Sequence, residues 1–213
     1  MSIEPSETPP KSRLLRTILW GTITAALAGL AIFWALDNYL GNRSKAVRYS
    51  GEADIRSEFS LTDHTGQEVT QADYADRWQL VFFGFTHCPD ICPTTLAYMA
   101  SVLDLLGEDA AQVAPIFITV DPERDTVPVM AEYVSVFHPS LIGLTGTEAQ
   151  VAEANRNFRA WYERTEDDSA PDGYFMAHAG YIYLMQPGGE FEAVYQEGGQ
   201  PPEVLAQEIR KKL

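Results

Sequence analysis

The chain has 213 residues, of which 46% are hydrophobic and 21% are charged. This length suits one domain of about 100–200 residues with appendages, and the composition is that of a folded protein rather than a disordered one. With 15 basic and 30 acidic side chains, the formal net charge is −15. That charge argues against a nucleic-acid binder, because such proteins carry a basic footprint.

The N-terminal part of the chain is predicted to be a membrane anchor followed by a linker. Residues 1–16 are polar and rich in proline and glutamate, which is typical of a disordered tail. Thr17–Leu36 then runs for 20 residues without a charge. A helix of that length is about 30 Å long and can cross the hydrocarbon core of a bilayer. Trp20 and Trp34 lie near its ends, where aromatic rings favour the membrane interface, and residues 37–57 form a polar linker.

Basic residues beside the predicted transmembrane helix favour a cytoplasmic N-terminus. Three of them directly precede the helix: Lys11, Arg13 and Arg16. Asp37 follows it, so the basic cluster nearer to the helix is the N-terminal one. The domain would then face the non-cytoplasmic side, which is the periplasm in a bacterium or the intermembrane space in a mitochondrion. The alternative is a cleaved signal peptide with a small-residue site at Ala26–Ala28.

Strands and helices are predicted to alternate over residues 58–213. The expected strands lie at 59–61, 68–70, 79–85, 114–120, 141–144, 174–185 and 191–195. The expected helices lie at 94–106, 129–137, 147–160 and 202–213. The runs QLVFFGF and APIFITV are continuously apolar, as in central strands that are buried on both faces. This order predicts an α/β domain with a mixed sheet and helices on both faces.

Both cysteines lie in one segment between a predicted buried strand and a helix, FTHCPDICP at 85–93. The carboxyl ends of central strands open into the crevice where α/β proteins bind ligands, and a helix N-terminus favours a thiolate. Cys88 and Cys92 are four positions apart, so a helical turn places them on the same side. They could form a redox disulfide or bind one soft metal ion, and the three intervening residues favour the metal because redox motifs usually have two. The alternative is a pair of inert or structural cysteines.

Two sulfurs leave a metal site incomplete, so one of the four histidines is expected to join them. His64 lies in a predicted turn and is expected to be solvated, and His138 lies at a helix end. His87 neighbours Cys88, but adjacent side chains on an extended segment point in opposite directions. His178 lies among small apolar residues at the entrance to a strand. On the residues alone, His178 is either a ligand or a hydrogen-bonded core histidine.

The loop after the second central strand, Asp121–Thr126, is predicted to lie at the same edge of the sheet as the cysteines. It could shape the crevice or meet a partner. The simpler interpretation is structural: Asp125 or Thr126 caps the next helix, and Arg124 pairs with a nearby acid.

Three stretches of the chain resemble the Sco/SenC family: GFTHCPDICP at 84–93, VDPERDT at 120–126 and AHAGYIYLMQPGGEF at 177–191. The resemblance extends over about residues 59–213. It implies a thioredoxin-like fold that binds copper, as Cu(I) or Cu(II), through Cys88, Cys92 and His178. The family commonly has an aspartate before this histidine and a hydroxyl residue after it, whereas this chain has Ala177 and Ala179. Without the acidic neighbour, we expect weaker Cu(II) binding or a more mobile imidazole.

The resemblance implies a membrane-anchored copper chaperone for cytochrome c oxidase. Its partner would be the copper-site subunit of the oxidase or another protein that accepts copper or exchanges thiols. The alternative is a thiol–disulfide oxidoreductase in which Cys88 attacks and Cys92 resolves. An anchored interaction domain with structural cysteines is a third interpretation.

Overall fold

The computed structural model describes residues 11–41, 54–170, 172–196 and 198–213. The chain divides into two compact units, residues 1–44 and 45–213. In the first unit, helix α1 spans Lys11–Gly41 and is therefore longer than the uncharged run at both ends. Residues 1–10 of the predicted tail and 42–53 of the predicted linker lie outside the described residues.

The side chains of α1 are described at positions 15, 16 and 18–33, and all of them are exposed. Both ends of the predicted transmembrane segment, Thr17–Leu36, thus lie outside the described side chains. Among the residues that the structure describes, no helix combines the length and the apolar character needed to span a membrane.

The second unit is built on a seven-stranded mixed sheet with the order β2-β1-β5-β4-β3-β8-β9. Its strands are β1 Ser60–Asp63, β2 Glu68–Thr70, β3 Trp78–Gly84, β4 Val113–Thr119, β5 Ile142–Thr145, β8 Tyr181–Met185 and β9 Phe191–Gln196. Strands β3, β4 and β5 are parallel, and β8 pairs antiparallel with β3. Helices α2 Ile91–Leu106, α3 Val127–Ser135, α4 Glu148–Phe158 and α5 Pro202–Arg210 complete the unit.

Helices cover both faces of the sheet, which explains why the central strands are continuously apolar. Phe82 of β3 stacks on Phe117 of β4, whose ring contacts Tyr133 of α3. The next residue, Phe83, packs edge-on against Phe158 of α4. Because successive strand side chains point to opposite faces, α3 and α4 lie on opposite faces of the sheet. Every residue of β4 is buried, as are all of β3 after its first residue.

One region differs from the sequence-based prediction. The expected strand at 174–185 is two strands, β7 Tyr174–His178 and β8, separated by Ala179 and Gly180. A further strand that was not predicted, β6 Tyr162–Glu166, pairs antiparallel with β7 in a separate two-stranded sheet. Its sequence, YERTE, lacks alternating apolar residues because most of its side chains are exposed. The other predicted elements are observed with ends shifted by at most three residues.

Candidate metal centre

Cys92 is held against the end of the central strand β3. It lies in the first turn of α2 and has no exposed surface. A Cβ atom on Gly84, the last residue of β3, would lie 2.7 Å from the Cys92 sulfur, so only glycine leaves room for that sulfur. Cys88 lies in the loop before α2 and is half-buried. The backbone N–H of Cys92 donates to the Cys88 sulfur over 3.4 Å, as a free N–H at a helix N-terminus can do.

His178 reaches the sulfurs from the end of β7. Its Nε2 lies 3.2 Å from the Cys92 sulfur. Its Nδ1 lies 3.2 Å from the carbonyl oxygen of Ala179, which can only accept a hydrogen bond. Nδ1 can therefore donate a hydrogen bond to that oxygen, and Nε2 is the ring nitrogen that faces the Cys92 sulfur. Phe82 and Phe85 hold the ring edge-on, with centroids at 5.8 and 5.7 Å.

The structure thus brings together the three predicted site residues. The ligand atoms of Cys88, Cys92 and His178 all lie within 4.8 Å of one another. Both cysteines are free thiols. The role of these three side chains as metal ligands stays a prediction. Their ligand atoms already lie close enough that binding one ion would not require a large movement of the chain.

The two thiols have opposite electrostatic environments. The pKa of Cys88 is lowered well below its usual value, chiefly by its hydrogen bond with Cys92, with smaller contributions from His178 and nearby backbone N–H groups and against the opposing effect of burial. The pKa of Cys92 is raised by the same hydrogen bond and by burial. Of the two thiols, the half-buried Cys88 is therefore the one whose pKa favours the thiolate.

The other three histidines lie outside this group. His64 lies in the predicted turn and is half-buried, and its Nδ1 accepts a hydrogen bond from the backbone N–H of Gly143 over 3.2 Å, so it is solvated only in part. His138 follows α3, and its Nδ1 accepts from the backbone N–H of Ser140 over 3.1 Å. His87 lies on the exposed side of the cysteine loop, 3.9 Å from Asp125.

Asp125 has a different role from the predicted helix cap. Thr126 occupies the N-cap position of α3 without a capping side-chain hydrogen bond. The fully buried Asp125 carboxylate instead accepts from the backbone N–H of Thr86 over 3.0 Å and from the hydroxyls of Thr86 and Thr119. Burial raises its pKa. Asp125 therefore ties the loop after β4 to the cysteine segment, a contact between residues 39 positions apart that no local pattern could reveal.

The prediction that Arg124 pairs with an acid is confirmed. Its Nε lies 2.5 Å from Asp121, and its Nη1 lies 3.1 Å from Asp172 in the segment between β6 and β7. The loop after β4 thus contacts both the cysteine segment and the strand pair that carries His178.

Comparison with known proteins agrees with this geometry. The family model described as SCO1/SenC matches residues 47–213. The chain belongs to the SCO1/SenC family. It is 40% identical over 211 residues to the mitochondrial protein SCO2 homolog of Mus musculus, an alignment that covers 95% of this chain and 79% of the relative.

Solved structures of the family share the fold. The copper-bound structure of ScoI from Bradyrhizobium japonicum is 39% identical, has a TM-score of 0.69, and is matched over 75% of this chain and 99% of its own. The structure of BsSco is 22% identical, has a TM-score of 0.58, and is matched over 78% of this chain and 94% of its own. At this low identity, the similarity supports a shared fold and nothing further. BsSco is described as having a disulfide switch and as a member of the Sco family of cytochrome c oxidase assembly proteins. These matches confirm the predicted α/β, thioredoxin-like fold of the domain.

Proposed function

We propose that this chain binds one copper ion through Cys88, Cys92 and His178 and assists assembly of the copper site of cytochrome c oxidase. The observation that carries the proposal is the clustering of two sulfurs and one imidazole nitrogen within 4.8 Å. Thiolates are soft ligands that select Cu(I), and an imidazole also suits Cu(II). A relative with 39% identity has been solved with copper bound, and the family resemblance supplies the oxidase as the acceptor.

The arrangement also suits release of the ion. Three protein ligands leave room for an incoming ligand of an acceptor protein. Cys88 is half-buried whereas Cys92 is fully buried, so an acceptor can approach the ion from the Cys88 side. Transfer would proceed by ligand exchange, as ligands of the acceptor replace those of this chain.

Anaerobic Cu(I) titration of the full chain, followed by X-ray absorption, tests the proposal. We expect one copper per chain, with two sulfur neighbours and one nitrogen neighbour. Single changes of Cys88, Cys92 or His178 to Ala should each weaken binding. His87→Ala is the matched control, because this imidazole lies beside the cysteines but outside the group. If all three ligand variants retain one tightly bound copper, the assignment is wrong.

A second function, thiol–disulfide exchange with an acceptor protein, is favoured by the lowered pKa of Cys88. A half-buried thiolate beside a buried thiol is the arrangement of an attacking and a resolving cysteine. This function predicts disulfide reduction without copper that persists in His178→Ala. Disulfide exchange with an oxidised acceptor peptide, together with the reduction potential of the pair, distinguishes it from copper binding. The two roles can coexist, because copper binding requires reduced sulfurs.

We also propose that residues 17–36 anchor the chain in a membrane, preceded by a tail at 1–16 and followed by a linker at 37–57. The domain at 58–213 would face the non-cytoplasmic side. The uncharged run and the basic residues before it support this orientation. Resistance to alkaline extraction should be lost in Leu27→Arg, because a charge at the centre of a membrane helix costs about 2.5–3.5 kcal/mol. A mature protein that begins at Gly29 would instead identify a cleaved signal peptide.

A further inference from the structure

The strand pair that carries His178 is weakly packed. Strands β6 and β7 form their own sheet, and an isolated two-stranded hairpin has marginal stability in water. Of the ten residues in these two strands, Tyr174 is the one that is buried. A cavity of 480 Å³ lies between the strand pair, the start of the loop after β4 and α4, and Met176 lines it. The apolar contacts of the pair with the core thus come mainly from half-buried side chains, Tyr162 and Met176.

Tyr174 is held instead by charged groups. Its ring lies between two guanidinium groups, with the Cζ of Arg124 at 4.1 Å and the Cζ of Arg164 at 3.7 Å from the ring centroid. Cations over both faces of an aromatic ring are attracted by its quadrupole. The Tyr174 hydroxyl donates to Asp121 Oδ1 over 2.9 Å. We call Tyr174, Arg124, Arg164 and Asp121 the tyrosine clamp.

The tyrosine clamp connects the strand pair to the loop after β4. Asp121 and Arg124 belong to that loop, and Arg164 of β6 pairs over 2.6 Å with Glu123 of the same loop. Through Asp125, the loop is also hydrogen-bonded to Thr86, two residues before Cys88. One loop therefore holds both parts of the candidate site, the cysteine segment on one side and the His178 strand on the other.

Tyr174 and His178 lie on the same face of β7. The burial pattern alternates along the strand, with positions 174, 176 and 178 turned inward and 175 and 177 exposed. Tyr174 and His178 occupy the two ends of the strand, about 13 Å apart at the usual rise per residue. One short strand therefore joins the Tyr174 side chain to the imidazole.

We propose that Tyr174 is a positioning residue that, held in the tyrosine clamp, sets the β6–β7 pair so that His178 lies against the two sulfurs. This inference rests on the proposed copper function, since it assigns a means of placing the third ligand. It predicts that copper affinity depends on a residue that does not itself touch the ion.

Variants of Tyr174 test the proposal by Cu(I) competition titration and X-ray absorption of the full chain. Tyr174→Ala should lower the copper affinity about 10–100-fold, the usual effect of losing a group that orients a ligand, and should remove the nitrogen neighbour. Tyr174→Phe keeps the ring between the two cations and should retain most of the affinity. Phe175→Ala is the matched control, because Phe175 is the next residue of the strand and its side chain is 53% exposed on the other face. An unchanged affinity and nitrogen count in Tyr174→Ala would overturn the inference.

A double variant separates positioning from general damage to the fold. If Tyr174 acts through His178, then Tyr174→Ala causes no further loss of affinity in the His178→Ala background. An equal loss in both backgrounds would mean that the change disturbs the cysteines as well, and would contradict the inference.

A measurement without metal keeps the inference testable if the proposed function fails. In the copper-free protein, the nuclear Overhauser contacts between His178 and the Phe82 and Phe85 rings should disappear in Tyr174→Ala and persist in Tyr174→Phe. Their persistence in Tyr174→Ala would refute the positioning role whether or not copper binds. A wild-type chain that binds no copper, or binds it independently of His178, would refute the proposed ligand set while leaving this test in force.

Discussion

The seven-stranded sheet and the β6–β7 pair each contribute to the candidate metal centre, and they are built differently. The sheet side holds Cys92 without exposed surface, against a strand whose last six residues are all buried. The β6–β7 side holds His178 on a strand pair with a single buried side chain, Tyr174. Apolar packing places the sulfurs, whereas the strand pair behind the imidazole is attached mainly by cation–π contacts, ion pairs and one hydrogen bond, and the Phe82 and Phe85 rings contact the imidazole itself.

This difference bears on how the site could release an ion. Segments with few buried apolar contacts open at lower free energy than a core strand does. We therefore expect the imidazole to move away from the sulfurs more readily than the sulfurs move apart. Such a division of mobility would suit the proposed transfer of copper to an acceptor.

The largest expected effect concerns the sheet side. Phe82→Ala removes a fully buried ring that stacks on Phe117, and should lower the free energy of unfolding by about 3–5 kcal/mol. Phe175→Ala on the β6–β7 pair should change it by no more than about 0.5 kcal/mol, because that ring is largely exposed. Urea denaturation followed by near-ultraviolet circular dichroism measures both. Similar losses of unfolding free energy in the two variants would contradict the conclusion that the sheet is packed more tightly than the β6–β7 pair.

Thiol reactivity measures how strongly His178, which lies on the β6–β7 pair, lowers the pKa of Cys88. An ordinary thiol with a pKa of about 8.5 alkylates about 75-fold more slowly at pH 6 than at pH 8, because its thiolate is lost. Since the pKa of Cys88 is lowered, its alkylation rate in the reduced, metal-free protein should stay nearly flat over that range, and Cys92 should react far more slowly. His178→Ala should restore part of the pH dependence. Iodoacetamide labelling with mass spectrometry reads out each site, and equal rates at the two cysteines would contradict the assignment.

Gly84→Ala probes the contact between β3 and Cys92. The added methyl group would lie 2.7 Å from the Cys92 sulfur and 2.9 Å from the Phe117 ring, so we expect a loss of about 1–3 kcal/mol from overpacking. Gly21→Ala in α1 is the matched control, since no atom of the described residues lies within 4 Å of the new Cβ. Thermal unfolding with calorimetry compares the two. A neutral Gly84→Ala would show that the sulfur is less tightly held than its contacts indicate.

The smallest expected effect concerns an ion pair of the β6–β7 side. The Arg164 and Glu123 side chains are 39% and 57% exposed, so their attraction is weakened by solvent. Glu123→Gln should lower the stability only slightly, and less at high salt. Chemical denaturation at low and high ionic strength checks this prediction. A large loss that does not depend on salt would contradict the assignment of this contact as an exposed ion pair.

Prediction from the sequence succeeded for the central strands of the seven-stranded sheet and failed for the β6–β7 pair. Strands β3 and β4 are recognisable as uninterrupted apolar runs because helices cover both faces of the sheet. Strand β6 was missed because its exposed side chains show no alternation. The break at Ala179 and Gly180 was missed because the residues before and after it both favour strands.

By itself, the sequence determined the elements and chemistry that depend on neighbouring residues: a buried strand, a following helix and two thiols at their junction. It also marked His178 as a candidate, without showing what lay beside it. Only the tertiary structure brought the imidazole to 3.2 Å from the Cys92 sulfur, enclosed Tyr174 between Arg124 and Arg164, and turned Asp125 towards Thr86. These contacts join residues far apart in the chain, and their partners are decided by how the strands and loops pack rather than by any local spacing.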